Sequence, residues 1–158
     1  MNYTCFDSII GKIFLFGNNK EILKIFINNG SVCLELIKQC NRQDNLFIEC
    51  KKQILEYLAG KRKNFDINIK INGSEFQTKV WNELLNIPYG TLKTYKDVAV
   101  NIGHPTASRA VGLAVHNNPL PIIIPCHRVI GSNGKLTGYA YGLELKQFLI
   151  SLESNNKK

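Results

Sequence analysis

The sequence predicts an α+β protein: a small N-terminal antiparallel sheet with helices, followed by a helical C-terminal domain organised on a helix-turn-helix. Three observations carry this. Short β-branched and aromatic runs, separated by glycine and asparagine, fill the start of the chain. Capping boxes and apolar residues at helical spacing dominate the part after Gly73. Between them, the turn-forming pair Asn72-Gly73 divides the chain into domains spanning 1–72 and 73–158.

Tyr3 to Asp7, Lys12 to Phe16 and Glu21 to Asn28 read as strands of a meander, broken at Ile10-Gly11 and Gly17-Asn18-Asn19. Asn29-Gly30 closes it. That pair suits a hairpin into Val32 to Ile37, but Leu34, Ile37 and Lys38 suit a helix equally, and both readings stay open. From Asp44, read as an N-cap, Phe47, Ile54, Leu55 and Leu58 recur on one face up to Gly60. They predict a helix of about four turns covering the sheet. Lys61-Arg62-Lys63 suits the negative end of that helix, and Phe65 to Ile71 alternates as an extended segment.

In the second half, Ser74 with Gln77 forms a capping box for a helix whose stripe is Phe76, Val80, Trp81, Leu84 and Leu85, ending at Pro88. Thr94 with Asp97 repeats the signal for a short helix carrying Val98 and Ala99. Asn101-Gly103-His104-Pro105 supplies a turn before a second helix from about Thr106 to Asn117. Helix, glycine-containing turn, helix is a helix-turn-helix. The second helix is mostly small residues, Ala107, Ser108, Ala110, Gly112 and Ala114, around one long cation, Arg109. Such a helix can approach a duplex closely but reads few bases. A last helix runs over Leu143 to Leu152.

A chain of 158 residues with 44% hydrophobic content buries a core, and a net charge of +8 with pI near 9.3 favours a polyanionic partner. No apolar run reaches membrane-span length and no cleavable leader is recognisable, so the expectation is an intracellular protein. Five cysteines, an odd number at irregular spacings, make no disulfide framework. Cys33, Cys40 and Cys50 lack a CxxC unit and read as packed thiols, with no metal site expected.

The chemistry concentrates in Pro119 to Ile130. Ile122, Ile123 and Ile124 read as a brief buried strand or extended segment that Pro125 ends, holding Cys126 at its mouth. A thiol becomes nucleophilic when a basic or cationic neighbour favours its thiolate, and His127 and Arg128 follow directly. Adjacent side chains on an extended chain face opposite ways, so Cys126 and His127 are expected to communicate through a bridging water.

Pro-Cys-His-Arg-Val-Ile, preceded by Asn118-Pro119-Leu120-Pro121 and followed by Gly138-Tyr139-Ala140, resembles the active-site signature of the O6-alkylguanine-DNA alkyltransferases. The match runs from about Phe76 to Glu153. It implies a ribonuclease-H-like support domain followed by a winged helix-turn-helix-like domain that moves an alkyl group from guanine O6 in double-stranded DNA to Cys126. By this resemblance His127 is the base and Glu153 orients it, while Asn118 holds the turn by bonding backbone near Val129 and Ile130. Tyr139 and the Ala140 N–H stabilise the leaving guanine. Arg109 fills the vacated base stack, Tyr95 meets the nucleotide's phosphate, and Ala107, Ser108 and Ala110 line the minor groove. Arg128, Val129 and Tyr141 complete the substrate side, with Arg128 also pinning the active-site segment.

Some members of that family carry a structural zinc in the N-terminal domain. Cys5 lies near the start, but no partner set accompanies it, and neither metal nor organic cofactor is expected. The implied protein is a monomer, in the cytoplasm of a prokaryote or the nucleus of a eukaryote. Many members have two glycines where Tyr141-Gly142 stands, which puts a ring at the pocket wall. Three other readings compete: a non-catalytic alkyltransferase-like DNA-binding protein, a winged-helix regulator, and a cysteine hydrolase using His104 or His116.

Overall fold

The computed structural model describes residues 1–28 and 30–157. The chain divides into two compact units, Met1–Ile71 and Asn72–Lys158. The first holds strands β1 (Asn2–Ser8), β2 (Gly11–Gly17) and β3 (Ile22–Ile27), helix α1 (Gly30–Lys38), strand β4 (Asn41–Arg42), a 3-10 turn (Asp44–Phe47) and helix α2 (Ile48–Leu58).

The three expected strands form as an antiparallel meander, with Tyr3 opposite Phe16 and Phe14 opposite Phe26. The sheet order is β3-β2-β1-β4, and β4 pairs with β1 in parallel. Two residues are too short to carry a strand periodicity, so β4 is invisible in the sequence. Alternation splits β1 between two faces. Tyr3 and Cys5, with Phe14, Phe16 and Phe26, pack against Cys33, Leu36 and Ile37 of α1. Thr4 and Phe6 point the other way, where Lys51 of α2 stands over the Phe6 ring and the Thr4 hydroxyl meets Asp44.

The segment left open between strand and helix is a helix. The turn pair placed before it includes Asn29, which lies outside the described residues. Asp44 does not cap α2: its carboxylate accepts from the Thr4 hydroxyl at 2.5 Å and from Arg42 Nε at 2.9 Å, and the helix starts four residues later without a side-chain cap. Leu55, expected on the buried face, is exposed, whereas Phe47, Ile54 and Leu58 are buried. The extended stretch before residue 72 bonds to the edge of β3, Ile22 N–H to Asn68 and Lys70 N–H to Ile22.

The second unit contains α3 (Glu75–Leu85), β5 (Lys93–Thr94), α4 (Tyr95–Asn101), α5 (Ser108–His116), a 3-10 turn (Cys126–Arg128), β6 (Val129–Ile130) and α6 (Leu143–Asn156). Both capping boxes form as expected, Ser74 with Gln77 and Thr94 with Asp97. Val80, Trp81 and Leu84 are buried, while Leu85 of the expected stripe is exposed. Trp81 donates from Nε1 to the Ala114 carbonyl at 2.8 Å, fixing α3 against α5. Gly103, at φ +83°, ends α4 in the left-handed conformation that glycine adopts without penalty, and His104 N–H returns to the Ala99 carbonyl. The chain can therefore turn into α5. Strands β5 and β6 pair in parallel, Lys93 with Val129 and Thr94 with Ile130, tying the start of α4 to the segment that leaves the Cys126 turn.

Among the described residues, no helix is long and apolar enough to cross a membrane.

Candidate active site

The floor of the site is not a strand. Ile122 has φ +76°, a left-handed conformation that is costly for a β-branched residue, and Pro121 is bridged to Ile124 across a tight turn. Asn118 imposes this shape. Its Nδ2 donates to the Ile124 carbonyl at 2.8 Å and its Oδ1 accepts from Leu120 N–H at 2.9 Å. The expected partners near Val129 and Ile130 are not the ones it takes, because the turn brings Leu120 and Ile124 nearer. Cys126 then opens a 3-10 turn, with Arg128 N–H bonded to the Pro125 carbonyl.

Cys126 is 5% exposed, and burial pushes its thiol pKa up to about 11. A hydrogen bond involving Asn118 and the charge of Lys146 pull the other way without offsetting the burial. At neutral pH the group is a thiol, so alkylation requires a base that removes its proton as the bond forms.

His127 and Glu153 supply that arrangement. His127 Nε2 lies 2.6 Å from Glu153 Oε2, and both side chains are buried. An imidazole that donates from Nε2 to a carboxylate presents the lone pair of Nδ1 as its basic site. Burial lowers the His127 pKa, with Glu153 opposing, so the ring rests neutral and able to take a proton. Glu153 also accepts from Arg128 Nε at 2.8 Å, Arg128 Nη2 at 2.9 Å and Gly90 N–H at 3.0 Å. Burial would raise its pKa, but the bonds and charges of His127 and Arg128 outweigh burial and hold it well below the usual carboxylate range. The carboxylate stays ionised and fixed.

Arg128, expected on the substrate side, is turned inward. It is buried, its fork grips Glu153, and its Nη1 donates to the Ile87 carbonyl at 2.6 Å, so it pins the segment. Val129 is likewise fully buried, and its carbonyl accepts from Lys146 Nζ at 2.5 Å.

Lys146 is the residue the sequence concealed. It shares one face of α6 with Leu149 and Glu153, all buried, but Leu143, Leu145, Phe148 and Leu152 surround them and blur any stripe. Its ammonium bonds both Val129 and, at 2.9 Å, the carbonyl of Thr137. The loop that follows leads to Tyr139, whose buried hydroxyl has no hydrogen-bond partner among the described residues. A buried unpaired donor is costly and commonly marks a ligand's place. Burial first, then the neighbouring Cys126, pushes its pKa well up, so it remains a donor. Ala140 is exposed, and the half-buried Tyr141 ring meets Tyr139 edge-on, centroids 6.0 Å apart.

Beside this wall, a cleft of about 520 Å³ is bounded by Tyr95 and Lys96, by Ser108, Arg109, Gly112 and His116 of α5, and by the loop from Gly131 to Gly138. Tyr95 donates to the Thr137 carbonyl at 3.0 Å and lies within electrostatic reach of Cys126. Arg109 and Ala110 are exposed, and Ala107 and Ser108 are half-buried at the start of α5. His104 packs edge-on against Phe76, and His116 lies 3.5 Å from the Gly138 carbonyl; the histidine fixed beside the reactive turn is His127. An N-terminal cavity of equal volume, lined by residues such as Thr4, Arg42 and Leu55, contains none of the residues that carry this chemistry.

Two family models match this chain. Residues 1–71 match the 6-O-methylguanine DNA methyltransferase, ribonuclease-like domain, and residues 75–155 match the 6-O-methylguanine DNA methyltransferase, DNA binding domain. A methylated-DNA–protein-cysteine methyltransferase of Methanosarcina acetivorans is 47% identical over 155 residues, 98% of this chain and 99% of the relative. An inducible one from Bacillus subtilis is 41% identical over 96% of this chain and 84% of its own. The crystal structure of Mycobacterium tuberculosis OGT in complex with DNA superposes with a TM-score of 0.92 at 38% identity, covering 99% of this chain and 94% of that one. Across both of its units, therefore, this chain belongs to the 6-O-methylguanine DNA methyltransferase family.

Proposed function

We propose that this protein repairs DNA directly, moving an alkyl group, chiefly methyl, from O6 of guanine in double-stranded DNA to Cys126 in one irreversible event. The observation that supports this most is the buried Cys126 thiol on an Asn118-braced turn, followed by a histidine locked to a buried carboxylate and neighboured by the cleft of a helix-turn-helix.

An alkyl group on O6 lies inside the duplex, so the nucleotide must be turned out, which costs a few kcal/mol. The small face of α5 permits close approach in the minor groove, and Arg109 is free to occupy the vacated stack. Tyr95 holds the phosphate of the extruded nucleotide. The Cys126 proton passes through a water to His127, sulfur attacks the alkyl carbon in line, and the carbon–O6 bond breaks as the carbon–sulfur bond forms. Charge left on guanine is met by the Tyr139 hydroxyl at N3 and the Ala140 N–H at O6. Glu153 stabilises the imidazolium while it exists. The thioether product has no route back to the thiol, so one molecule repairs one base.

The protein acts as a monomer on DNA, wherever its host keeps its genome. Mass spectrometry after mixing it with a duplex containing O6-methylguanine tests the reading. One methyl per chain on Cys126 is expected, abolished in Cys126→Ser while DNA binding persists. Repeated turnover without a retained adduct would instead indicate a hydrolase.

A further inference from the structure

The carbonyl of Thr137 receives two donors from different elements. The Tyr95 hydroxyl reaches it from the first turn of α4 at 3.0 Å, and the Lys146 ammonium reaches it from α6 at 2.9 Å. The same ammonium bonds the Val129 carbonyl in β6 and lies 5.9 Å from the centre of the Tyr95 ring. Lys146 is only 1% exposed. Burial brings its pKa down to about 8, so at neutral pH it still has three protons to donate. It thereby ties the strand leaving the active-site turn to the loop that carries Tyr139.

A phenol has a single proton. Tyr95 spends that proton on Thr137, and a phosphate oxygen only accepts, so a hydroxyl that bonds a phosphate has to leave the Thr137 carbonyl. The loop would lose an anchor at that moment if Tyr95 were its sole support. Two features prepare for the exchange. Lys146 already covers the same carbonyl. Gly138, at φ +67°, leaves the hydroxyl room that a Cβ, 3.4 Å away, would begin to fill.

We propose that Lys146 is a positioning residue for alkyl transfer: it holds Thr137, and through it Tyr139, while the Tyr95 hydroxyl leaves Thr137 for the phosphate beside the extruded nucleotide. The inference rests on the alkyl-transfer reading above. Lys146 touches no substrate and acts through the two carbonyls.

The test compares two substrates in single-turnover reactions of the full chain, with methylated Cys126 measured by mass spectrometry. One is O6-methylguanine in a duplex; the other is the free base, which has no phosphate. Tyr95→Phe should slow transfer about tenfold on the duplex but only about twofold on the free base, because Lys146 still holds the loop. Lys146→Gln should slow both about tenfold, with affinity for undamaged duplex within about twofold of the parent. On the free base the double variant should lose more than the product of the single losses, since Thr137 then keeps neither donor.

Equal loss on both substrates in Tyr95→Phe, parent-like transfer by Lys146→Gln, or a double loss equal to that product would each overturn the proposal. If Lys146→Gln unfolds, the substrate ratio of Tyr95→Phe decides alone. A parent protein that methylates Cys126 from neither substrate would refute the alkyl-transfer reading instead.

Discussion

The Glu153 carboxylate lies 2.6 Å from His127 Nε2, and neither side chain is more than 2% exposed. The geometry fixes which imidazole nitrogen is basic and keeps a negative charge ready for the imidazolium. Replacing that charge by an amide weakens both effects. Glu153→Gln should lower the single-turnover rate by at least about tenfold while DNA binding is retained. It should also cost about 3 kcal/mol of unfolding free energy, because Arg128 is left buried without its carboxylate. A variant as fast as the parent in rapid-quench measurements would remove Glu153 from the mechanism.

The same carboxylate contributes to the acid stability of the C-terminal unit. Its pKa in the folded chain lies below the ordinary 4.5 because the bonds and charges of His127 and Arg128 outweigh burial. Below about pH 4.5 the unfolded chain binds a proton that the folded chain refuses. Stability from this group is therefore complete above about pH 5 and is lost as pH falls toward the folded value, by up to about 1.4 kcal/mol per pH unit. Urea unfolding between about pH 3 and 6 should show a steeper acid decline in the parent than in Glu153→Gln. Parallel curves would contradict the assignment.

Arg109 is exposed on α5 and lines the cleft beside Tyr95. If it fills the vacated stack, Arg109→Ala should slow transfer from a duplex about tenfold or more while leaving the melting temperature unchanged. The loss should be smaller for damage in a single strand, where no stack needs filling. Equal losses on the two substrates would reduce Arg109 to a phosphate contact, and the salt dependence of binding would then flatten by about one unit of log-log slope.

Tyr141 is half-buried and meets Tyr139 edge-on, with ring centroids 6.0 Å apart. If the leaving base lies against Tyr139, this ring narrows the space beside it. Methyl should transfer much faster than benzyl, and Tyr141→Gly should raise the benzyl-to-methyl rate ratio about tenfold. The comparison needs two oligonucleotides and one quench series; a ratio near one in the parent would show that the ring does not restrict the pocket.

The elements that could be read before folding are those whose signals are local. Both capping boxes span four residues, Ser74 to Gln77 and Thr94 to Asp97, and both formed. The three meander strands were visible in alternation and glycine breaks. Where the reading failed, a distant partner had intervened. Asp44 was drawn from capping by Thr4, forty residues away, and by Arg42. The isoleucine run became a turn because Asn118 bonds to Leu120 and Ile124, overriding β-propensity at Ile122.

The order of residues by itself determined the helix-turn-helix, its small-faced second helix, and a cysteine beside a histidine after a proline-bounded apolar run. Tertiary structure decided what that pair can do. Glu153 meets Arg128, His127 and Gly90 across 25, 26 and 63 residues, and Lys146 reaches Val129 across 17. Capping and alternation act between neighbours along the chain, so they are written in its order. A carboxylate's ionisation and a lysine's burial depend on which groups the closed chain brings within about 3 Å, and no stretch of sequence contains that distance.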